Sequence, residues 1–196
     1  MPPKVKVTRD DIIQTALELV RAQGAAPLNA RQIAAALNCS TQPIFSNFAT
    51  MDELQGAVLE AGFAYYLGFL KSAAESGRYP PYKAFGMAYI RFAGEEKELF
   101  KLLFMRDRRG EGQAPTEDFE TSVVMIMQAN GLSRERAERM HMEMWSCTHG
   151  IAVMLATSFL HPDEELISMM LTDVYQGLRI RHIQEQEEHN NGCHSD

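Results

Sequence analysis

Apolar residues recur every three to four positions along most of this chain, a spacing that places them on one face of an α-helix. The first such run comprises Ile12, Ile13, Ala16, Leu17, Leu19 and Val20. Thr8 precedes the run and can cap the first turn, where the helix dipole also favours the acidic residues Asp10 and Asp11. Gly24 follows the run and is predicted to end this first helix in the left-handed conformation.

The same spacing predicts about nine helices, and the chain shows no alternation of strand and helix patterns. A short second helix follows Asn29 and ends at Asn38, and a third begins at Ser40 or Thr41. Helices four to nine are predicted to begin near Thr50, Pro81, Glu95, Glu117, Ser133 and Asp163, and the last to end at Gln186. The predicted fold class is therefore all-α, with a three-helix N-terminal module followed by a C-terminal helical domain.

The second and third predicted helices are joined by about three residues, from Leu37 to Ser40. Two short helices joined so tightly must cross steeply, as they do in a helix-turn-helix. The second helix of that motif presents polar side chains to base edges, while its apolar side holds it in place. Ile44, Phe45 and Phe48 can anchor this helix. Its polar residues are Ser40, Thr41, Gln42, Ser46 and Asn47.

Charge is distributed unevenly along the chain. The formal net charge is −7, but residues 1–50 carry five Lys or Arg against three Asp or Glu, which leaves −9 for the rest. A mildly basic head on an acidic body fits a protein whose first quarter meets phosphates. The amides of Gln42 and Asn47 can pair with adenine edges, and Pro43 can touch only apolar base surface. The candidate DNA-binding residues are Lys4, Lys6, Arg9, Asn29, Ala30, Arg31, Ser40, Thr41, Gln42, Pro43, Phe45, Ser46, Asn47 and Thr50.

Residues 8–60 resemble the DNA-binding module of the TetR family of transcriptional regulators. The resemblance rests on an ordered set: a first helix ending in Gly24, the pair Ile33-Ala34, the aromatic pair Phe45 and Phe48, and the helix start Asp52-Glu53-Leu54. It implies a dimeric regulator that binds a near-palindromic operator in double-stranded DNA, and we expect a repressor that a small effector releases.

Two departures from the family pattern concern phosphate contacts. Family members usually carry Tyr, whose hydroxyl contacts a phosphate, where this chain has Phe45. They often carry Lys before the acidic helix start, where this chain has Thr50 and Met51. The resemblance therefore implies either lower affinity or greater dependence on the N-terminal arm, where Lys4, Lys6 and Arg9 lie.

The predicted organisation has three parts. Residues 1–50 form the helix-turn-helix DNA-binding domain, with the fourth helix as a linker from residue 51. Residues 51–186 form the ligand-binding and dimerisation domain, and residues 187–196 a disordered tail. Within the larger part, the string Trp145-x-x-x-His149-Gly150 resembles a signature of one branch of TetR C-terminal domains.

Aromatic and Met side chains of the larger part have two interpretations. They can line an adaptable pocket for a hydrophobic or aromatic effector, which twelve Met residues favour, or they can form an ordinary core. The candidate pocket residues are Phe63, Tyr66, Phe92, Phe100, Phe104, Met105, Met125, Trp145 and His149. Trp145 and His149 lie one turn apart, and with Met142 they are expected to point into the domain.

The last two predicted helices carry apolar faces that can pair with those of a second copy. The candidate dimer residues are Ile151, Leu155, Phe159, Leu166, Met170, Val174 and Leu178. The alternative is that these residues only close the core of one chain. A dimer is expected because one helix-turn-helix reads few base pairs, whereas two read a near-palindromic site.

Other function classes find little support in the sequence. No stretch of about 20 apolar residues predicts a membrane span, and no export signal is evident, so we expect a cytoplasmic protein. No nucleophile-and-base motif, Gly-rich phosphate loop or metal-spaced set is present, so we expect no enzymatic activity, no cofactor and no metal. The alternative to DNA binding is a helical protein-interaction module, whose third helix should expose apolar rather than polar residues.

Overall fold

The computed structural model describes residues 7–25, 28–75, 77–107, 109 and 117–192. Over these residues the chain forms nine α-helices and no strand, which confirms the predicted all-α class. The helices are α1 (Arg9–Gln23), α2 (Ala30–Ala36), α3 (Gln42–Asn47), α4 (Met51–Ala74), α5 (Pro81–Glu95), α6 (Lys97–Phe104), α7 (Glu117–Asn130), α8 (Arg134–Ala156) and α9 (Glu164–Gly192).

A side-chain cap begins α1, and a glycine ends it. The Thr8 hydroxyl accepts from the amide of Asp11 at 3.1 Å, and the Asp11 carboxylate accepts from the amide of Thr8 at 2.8 Å. Gly24 ends the helix at φ 85° and ψ 172°, which is an extended conformation and not the predicted left-handed one. A Cβ at this position would also lie 2.8 Å from a carboxylate oxygen of Glu98, which can shift because it ends a flexible side chain, so it is the positive φ that requires Gly24.

The last helix is longer than predicted. It continues to Gly192, beyond the predicted end at Gln186, so residues 187–192 are helical and the prediction of a disordered tail is wrong for them. Glu187 and Glu188 propagate a helix readily, and extending a formed helix avoids the unfavourable nucleation step. Residues 193–196 lie outside the described residues.

The chain divides into two compact units. The first comprises Met1–Phe69 and Glu95–Asp107, which contain α1 to α3, most of α4, and α6. The second comprises Leu70–Gly94 and Arg108–Asp196, which contain α5 and α7 to α9. The sequence had grouped α4 and α6 with the ligand-binding domain, whereas most of α4 and all of α6 cluster with the helix-turn-helix.

Close packing joins α1, α4 and α6 in the first unit. A Cβ built on Gly62 of α4 would lie 3.0 Å from Leu99 Cδ1, 3.3 Å from Leu103 Cδ2 and 3.8 Å from Leu17 Cδ1. Leu99 and Leu103 are fully buried on α6. The missing side chain of Gly62 therefore allows α6 to approach α4 closely.

The second unit has its own core between α7, α8 and α9. Its buried members are Val123, Ile126, Leu132, Ala137 and Met140, and its partly buried members include Tyr82, Phe119, Tyr175 and Leu178. The side chain of Asn130 donates to the Tyr175 hydroxyl at 2.9 Å and accepts from Arg179 Nε at 3.1 Å. This polar bridge ties the end of α7 to α9.

Candidate nucleic-acid interface

The connection between α2 and α3 is a tight turn of five residues, 37–41. Asn29 starts α2, since its side-chain oxygen accepts from the amides of Arg31 at 3.0 Å and Gln32 at 3.1 Å. Asn38 adopts a left-handed φ of 51°, and the amide of Cys39 donates to the carbonyl of Ala34 at 2.9 Å. Asn tolerates that conformation better than most residues, so this turn follows from local sequence.

The short helix α3 has one buried and one exposed side. Ile44 and Phe48 are fully buried, whereas Gln42, Phe45 and Ser46 are exposed. The prediction that Phe45 anchors the helix is wrong, because 54% of this residue is exposed. The exposed side of α3 therefore combines an aromatic ring with small polar groups.

Two polar side chains of α3 form hydrogen bonds within the helix. The hydroxyl of Ser46 donates to the carbonyl of Gln42 at 2.9 Å, and the amide of Asn47 donates to the carbonyl of Pro43 at 2.7 Å. In this arrangement Asn47 still offers its side-chain oxygen as an acceptor and the second hydrogen of its NH₂ group as a donor. Gln42, Ser40 and Thr41 supply further donors on this side of the turn.

The flanking candidates have distinct environments. Arg9 lies over the ring of Phe48, with 4.6 Å between the guanidinium carbon and the ring centroid, and 3.9 Å from a carboxylate oxygen of Glu53. Arg31 is exposed, whereas Ala30 is buried, which leaves only the main chain of Ala30 for a contact. Lys4 and Lys6 lie outside the described residues.

Thr50 caps α4 as its sequence position predicted. Its hydroxyl accepts from the amide of Glu53 at 3.1 Å. The Glu53 carboxylate accepts from the amide of Ala49 at 2.8 Å, one residue earlier than in a regular capping box.

An ion pair that the sequence analysis missed holds α1 within the first unit. Arg21 binds Glu96 through two hydrogen bonds, of which the Nε bond measures 2.8 Å, and also donates to the Tyr65 hydroxyl at 3.0 Å. The Arg21 guanidinium holds the pKa of the Glu96 carboxyl below its ordinary value. Arg21 and Glu96 are far apart in sequence, and no local pattern marks the pair.

The candidate effector residues fall into the two units. In the first, the ring of Phe104 meets Tyr66 at 5.0 Å, Phe100 at 5.2 Å and Phe63 at 6.0 Å between centroids. Met105 is an exposed member of the same unit. In the second, Phe92 is fully buried and Met125 is half-buried. The structure therefore groups three of the candidates around the ring of a fourth, Phe104.

Trp145 and His149 form a second group with Tyr89, which the sequence analysis missed. The rings of Trp145 and His149 stack at 4.8 Å with 8° between their planes, and the Tyr89 hydroxyl lies 2.8 Å from His149 Nδ1. Burial lowers the pKa of His149 and raises the pKa of Tyr89, so both groups are neutral near pH 7. A hydroxyl that donates to Nδ1 places the imidazole proton on Nε2.

The prediction that Trp145 and Met142 point into the domain is wrong. Trp145 is 43% exposed and Met142 is 51% exposed. Helical spacing placed Trp145 next to His149 correctly, but Trp145 is partly exposed to solvent. Trp145 therefore offers an accessible aromatic face next to His149.

The candidate dimer residues also divide between core and surface. Ile151 is buried in the second unit, and Leu178 packs against the core of α7 and α8, so these two serve the monomer. Leu155 and Val174 are half-buried. Phe159, Leu166 and Met170 are exposed, Phe159 to 76%.

Two further classes of site, metal centres and membrane spans, have no counterpart in the described residues. That part of the chain contains no group of three or more His, Cys, Asp or Glu side chains arranged to hold a metal ion. Among its helices, none combines the length and apolar character that a membrane span requires.

The chain has recognisable relatives. Residues 82–174 match the family of tetracyclin repressor-like C-terminal domains. No curated protein matches the chain in sequence. A solved protein of unknown function from Rhodococcus sp. RHA1 shares 22% identity, with a TM-score of 0.70 over 89% of this chain and 97% of that one.

Two further solved structures have the same fold. A member of the TetR family from Streptomyces coelicolor A3 shares 20% identity, with a TM-score of 0.59 over 85% of this chain and 96% of that one. A TetR-like transcriptional regulator from Rhodococcus sp. RHA1 shares 15% identity, with a TM-score of 0.56 over 94% and 98%. The C-terminal match over residues 82–174 and this shared fold agree with the resemblance to the TetR family that the sequence indicated.

Proposed function

We propose that this protein is a transcriptional regulator that binds double-stranded DNA by inserting α3 into the major groove. The observation that carries the proposal is the geometry of α3, which Ile44 and Phe48 fix from one side while Gln42, Phe45 and Ser46 remain exposed. A recognition helix needs this division between a buried anchor and an exposed reading side. The solved TetR-like transcriptional regulator from Rhodococcus with the same fold supports the same assignment.

The working form in this proposal is a homodimer joined through α8 and α9. Phe159 and Leu160 follow α8, and Leu166, Met169 and Met170 lie on one side of α9, all of them exposed. Such a patch of large apolar side chains on one chain is typical of a protein interface. Two-fold symmetry would pair the patch with its own copy and present two reading helices to a near-palindromic operator.

Oligomeric state tests this part of the proposal. Met170→Glu places a charge in the proposed interface and should shift the protein toward monomer in sedimentation velocity. Met105→Glu is the matched control, because Met105 is likewise apolar and exposed but belongs to the first unit, which contains neither α8 nor α9. Equal sedimentation of wild type and both variants as monomers would contradict the dimer.

The regulatory part of the proposal is release from DNA by a small hydrophobic or aromatic effector, which makes the protein a repressor. Trp145 and His149 support it with an accessible aromatic face beside a neutral imidazole. An effector that prefers one conformation shifts the population toward it. Since α4 belongs to both units, we propose that its movement alters the separation of the two reading heads.

Trp145 provides a direct readout because it is the sole Trp of the chain. A ligand that stacks on it should change its fluorescence and weaken operator binding over the same concentration range. Tyr89→Phe removes only the hydroxyl that orients His149 and should reduce ligand affinity. Saturating screens without any ligand-induced change in operator affinity would count against this mechanism.

DNA binding itself is tested with the purified protein, its own upstream DNA and a scrambled duplex. The proposal expects selective, two-fold-symmetric protection of one site. Gln42→Ala should weaken it, while Gln14→Ala, the same substitution at an exposed position of α1, should not. If neither upstream DNA nor a genome-wide selection yields a preferred sequence, the protein is instead a helical interaction module.

A further inference from the structure

The exposed ring of Phe45 has no role in holding α3. Ile44 and Phe48 already anchor the helix, and the Arg9 guanidinium stacks on Phe48 rather than on Phe45. An aromatic side chain left in water gains free energy when a partner covers it. On a proposed recognition helix, the surface that covers it is the floor of the DNA major groove.

The rest of the reading side has little capacity to recognise guanine. Specific contacts to guanine O6 and N7 are made most often by Arg or Lys, and residues 40–48 contain neither. Ser46 and Asn47 already donate to the carbonyls of α3. Besides the hydroxyls of Ser40 and Thr41 and the unused part of the Asn47 amide, the reading side offers the amide of Gln42, which suits adenine, and the apolar ring of Phe45.

We propose that Phe45 is a specificity-determining residue that reads the 5-methyl group of a thymine in each operator half-site. This inference rests on the proposed DNA-binding function and names the bases that it selects. Among the four bases of unmodified DNA, thymine alone carries a methyl group at the major-groove edge. Gln42 then recognises adenine in the same half-site, so the contacted positions are A·T pairs.

The expected size of the effect follows from one methyl group. Burying one such group contributes about 0.8 kcal/mol, which corresponds to about a fourfold change in affinity. The dimer should therefore bind an operator that lacks the methyl group in both half-sites about 15-fold more weakly.

The experiment begins with selection of preferred sites from random duplexes by the full-length protein. Each thymine of the selected site is then replaced by deoxyuracil, which removes only the methyl group. Fluorescence anisotropy gives the ratio of affinities for thymine and uracil duplexes. The expected result is about a fourfold loss at one position of each half-site and no loss elsewhere.

Protein variants assign that loss to a residue. In Phe45→Ala the thymine-to-uracil ratio should fall to one, whereas Phe45→Leu, which keeps an apolar side chain, and Gln42→Ala should retain it. Far-UV circular dichroism checks that each variant is folded. The uracil series uses wild-type protein, so it tests the methyl contact even if a variant does not fold.

Two outcomes would overturn the inference in distinguishable ways. Selective binding with equal affinity for thymine and uracil duplexes, or an equal loss on all duplexes in Phe45→Ala, assigns the ring to the sugar-phosphate backbone. Such a result removes the inference and leaves the regulator standing. Absence of any selected sequence removes both the inference and the proposed function.

Discussion

Replacing Gly62 by Ala tests the close packing of α4 against α6. The added Cβ would lie 3.0 Å from Leu99 Cδ1 and 3.3 Å from Leu103 Cδ2, well inside the 3.5 to 4.0 Å that carbon atoms prefer. Both leucines are fully buried and cannot turn toward solvent. Overpacking of this kind destabilises a folded core by about 1–3 kcal/mol.

The helix itself gains from the same substitution, and a control isolates that gain. Gly→Ala within a helix contributes about 0.5–1 kcal/mol because Ala restricts the unfolded chain. Gly56 lies on the same helix with nothing within 4 Å of its ideal Cβ. Gly56→Ala should therefore raise the free energy of unfolding, while Gly62→Ala should leave it unchanged or lower it by up to about 2 kcal/mol.

Guanidinium unfolding at one protein concentration, followed by circular dichroism, measures both variants. The quantity of interest is the difference between them, about 1–3 kcal/mol, since the helix contribution cancels. Leu99→Val in the Gly62→Ala background should cost less than Leu99→Val alone, because it relieves the 3.0 Å contact. If Gly62→Ala stabilises as much as Gly56→Ala, the proposed tight contact between α4 and α6 does not exist.

Three further predictions concern caps and charges. Asn29→Ala removes the acceptor for two amides of α2 and should lower the free energy of unfolding by about 1 kcal/mol, while Asn29→Asp should retain most of it; equal thermal melting of the two would contradict the cap. Arg21→Met leaves the Glu96 carboxylate half-paired and should lower the free energy of unfolding by about 1–3 kcal/mol. Adding Glu96→Gln should recover part of that loss. If the effects of the two substitutions on unfolding are strictly additive, the ion pair does not contribute. Burial lowers the pKa of His141 to about 4 from 6.5, so the unfolded state binds the proton first and stability falls as pH decreases from about 6.5 toward 4, by up to about 2 kcal/mol at pH 5. His141→Gln should flatten this part of the curve of unfolding midpoint against pH, and an unchanged curve would assign the dependence to other groups.

Local sequence determined the helices well because their signals act over a few residues. The start of α7 at Glu117 is the one that the sequence predicted. Thr8, Asn29 and Thr50 cap their helices as their positions indicated, since a cap needs only a short polar side chain next to an amide. These features depend little on the rest of the fold.

The side that a residue occupies was harder to predict when two helical spacings compete. Ile44 and Phe48 are four residues apart, and Phe45 and Phe48 are three apart, so either pair can share a face. Tertiary packing selects the first pair and exposes Phe45. The same ambiguity affected Trp145, which shares a side of α8 with His149 yet meets solvent.

Long-range contacts were beyond the sequence for a different reason. The bonds of Arg21 to Glu96 and of Tyr89 to His149 join segments that only the fold brings together. The membership of α6 in the first unit also depends on such contacts, with Gly24 against Glu98 and Gly62 against Leu99. No local sequence pattern indicates which residue either glycine contacts.

The charge of the reading head constrains how the proposed regulator gains affinity. The first fifty residues offer Lys4, Lys6, Arg9 and Arg31 toward phosphates, while Arg21 is paired with Glu96. A dimer can then neutralise about eight phosphates, so log affinity should fall by at most about 7 per log unit of salt. Since α3 carries no charge, the electrostatic contribution of these phosphate contacts is the same for every DNA sequence. Selectivity must therefore come from the uncharged side chains of α3. Mutation of Phe45 or Gln42 should therefore change sequence preference without changing the salt slope, and a slope steeper than this limit would place further phosphate contacts outside the helix-turn-helix.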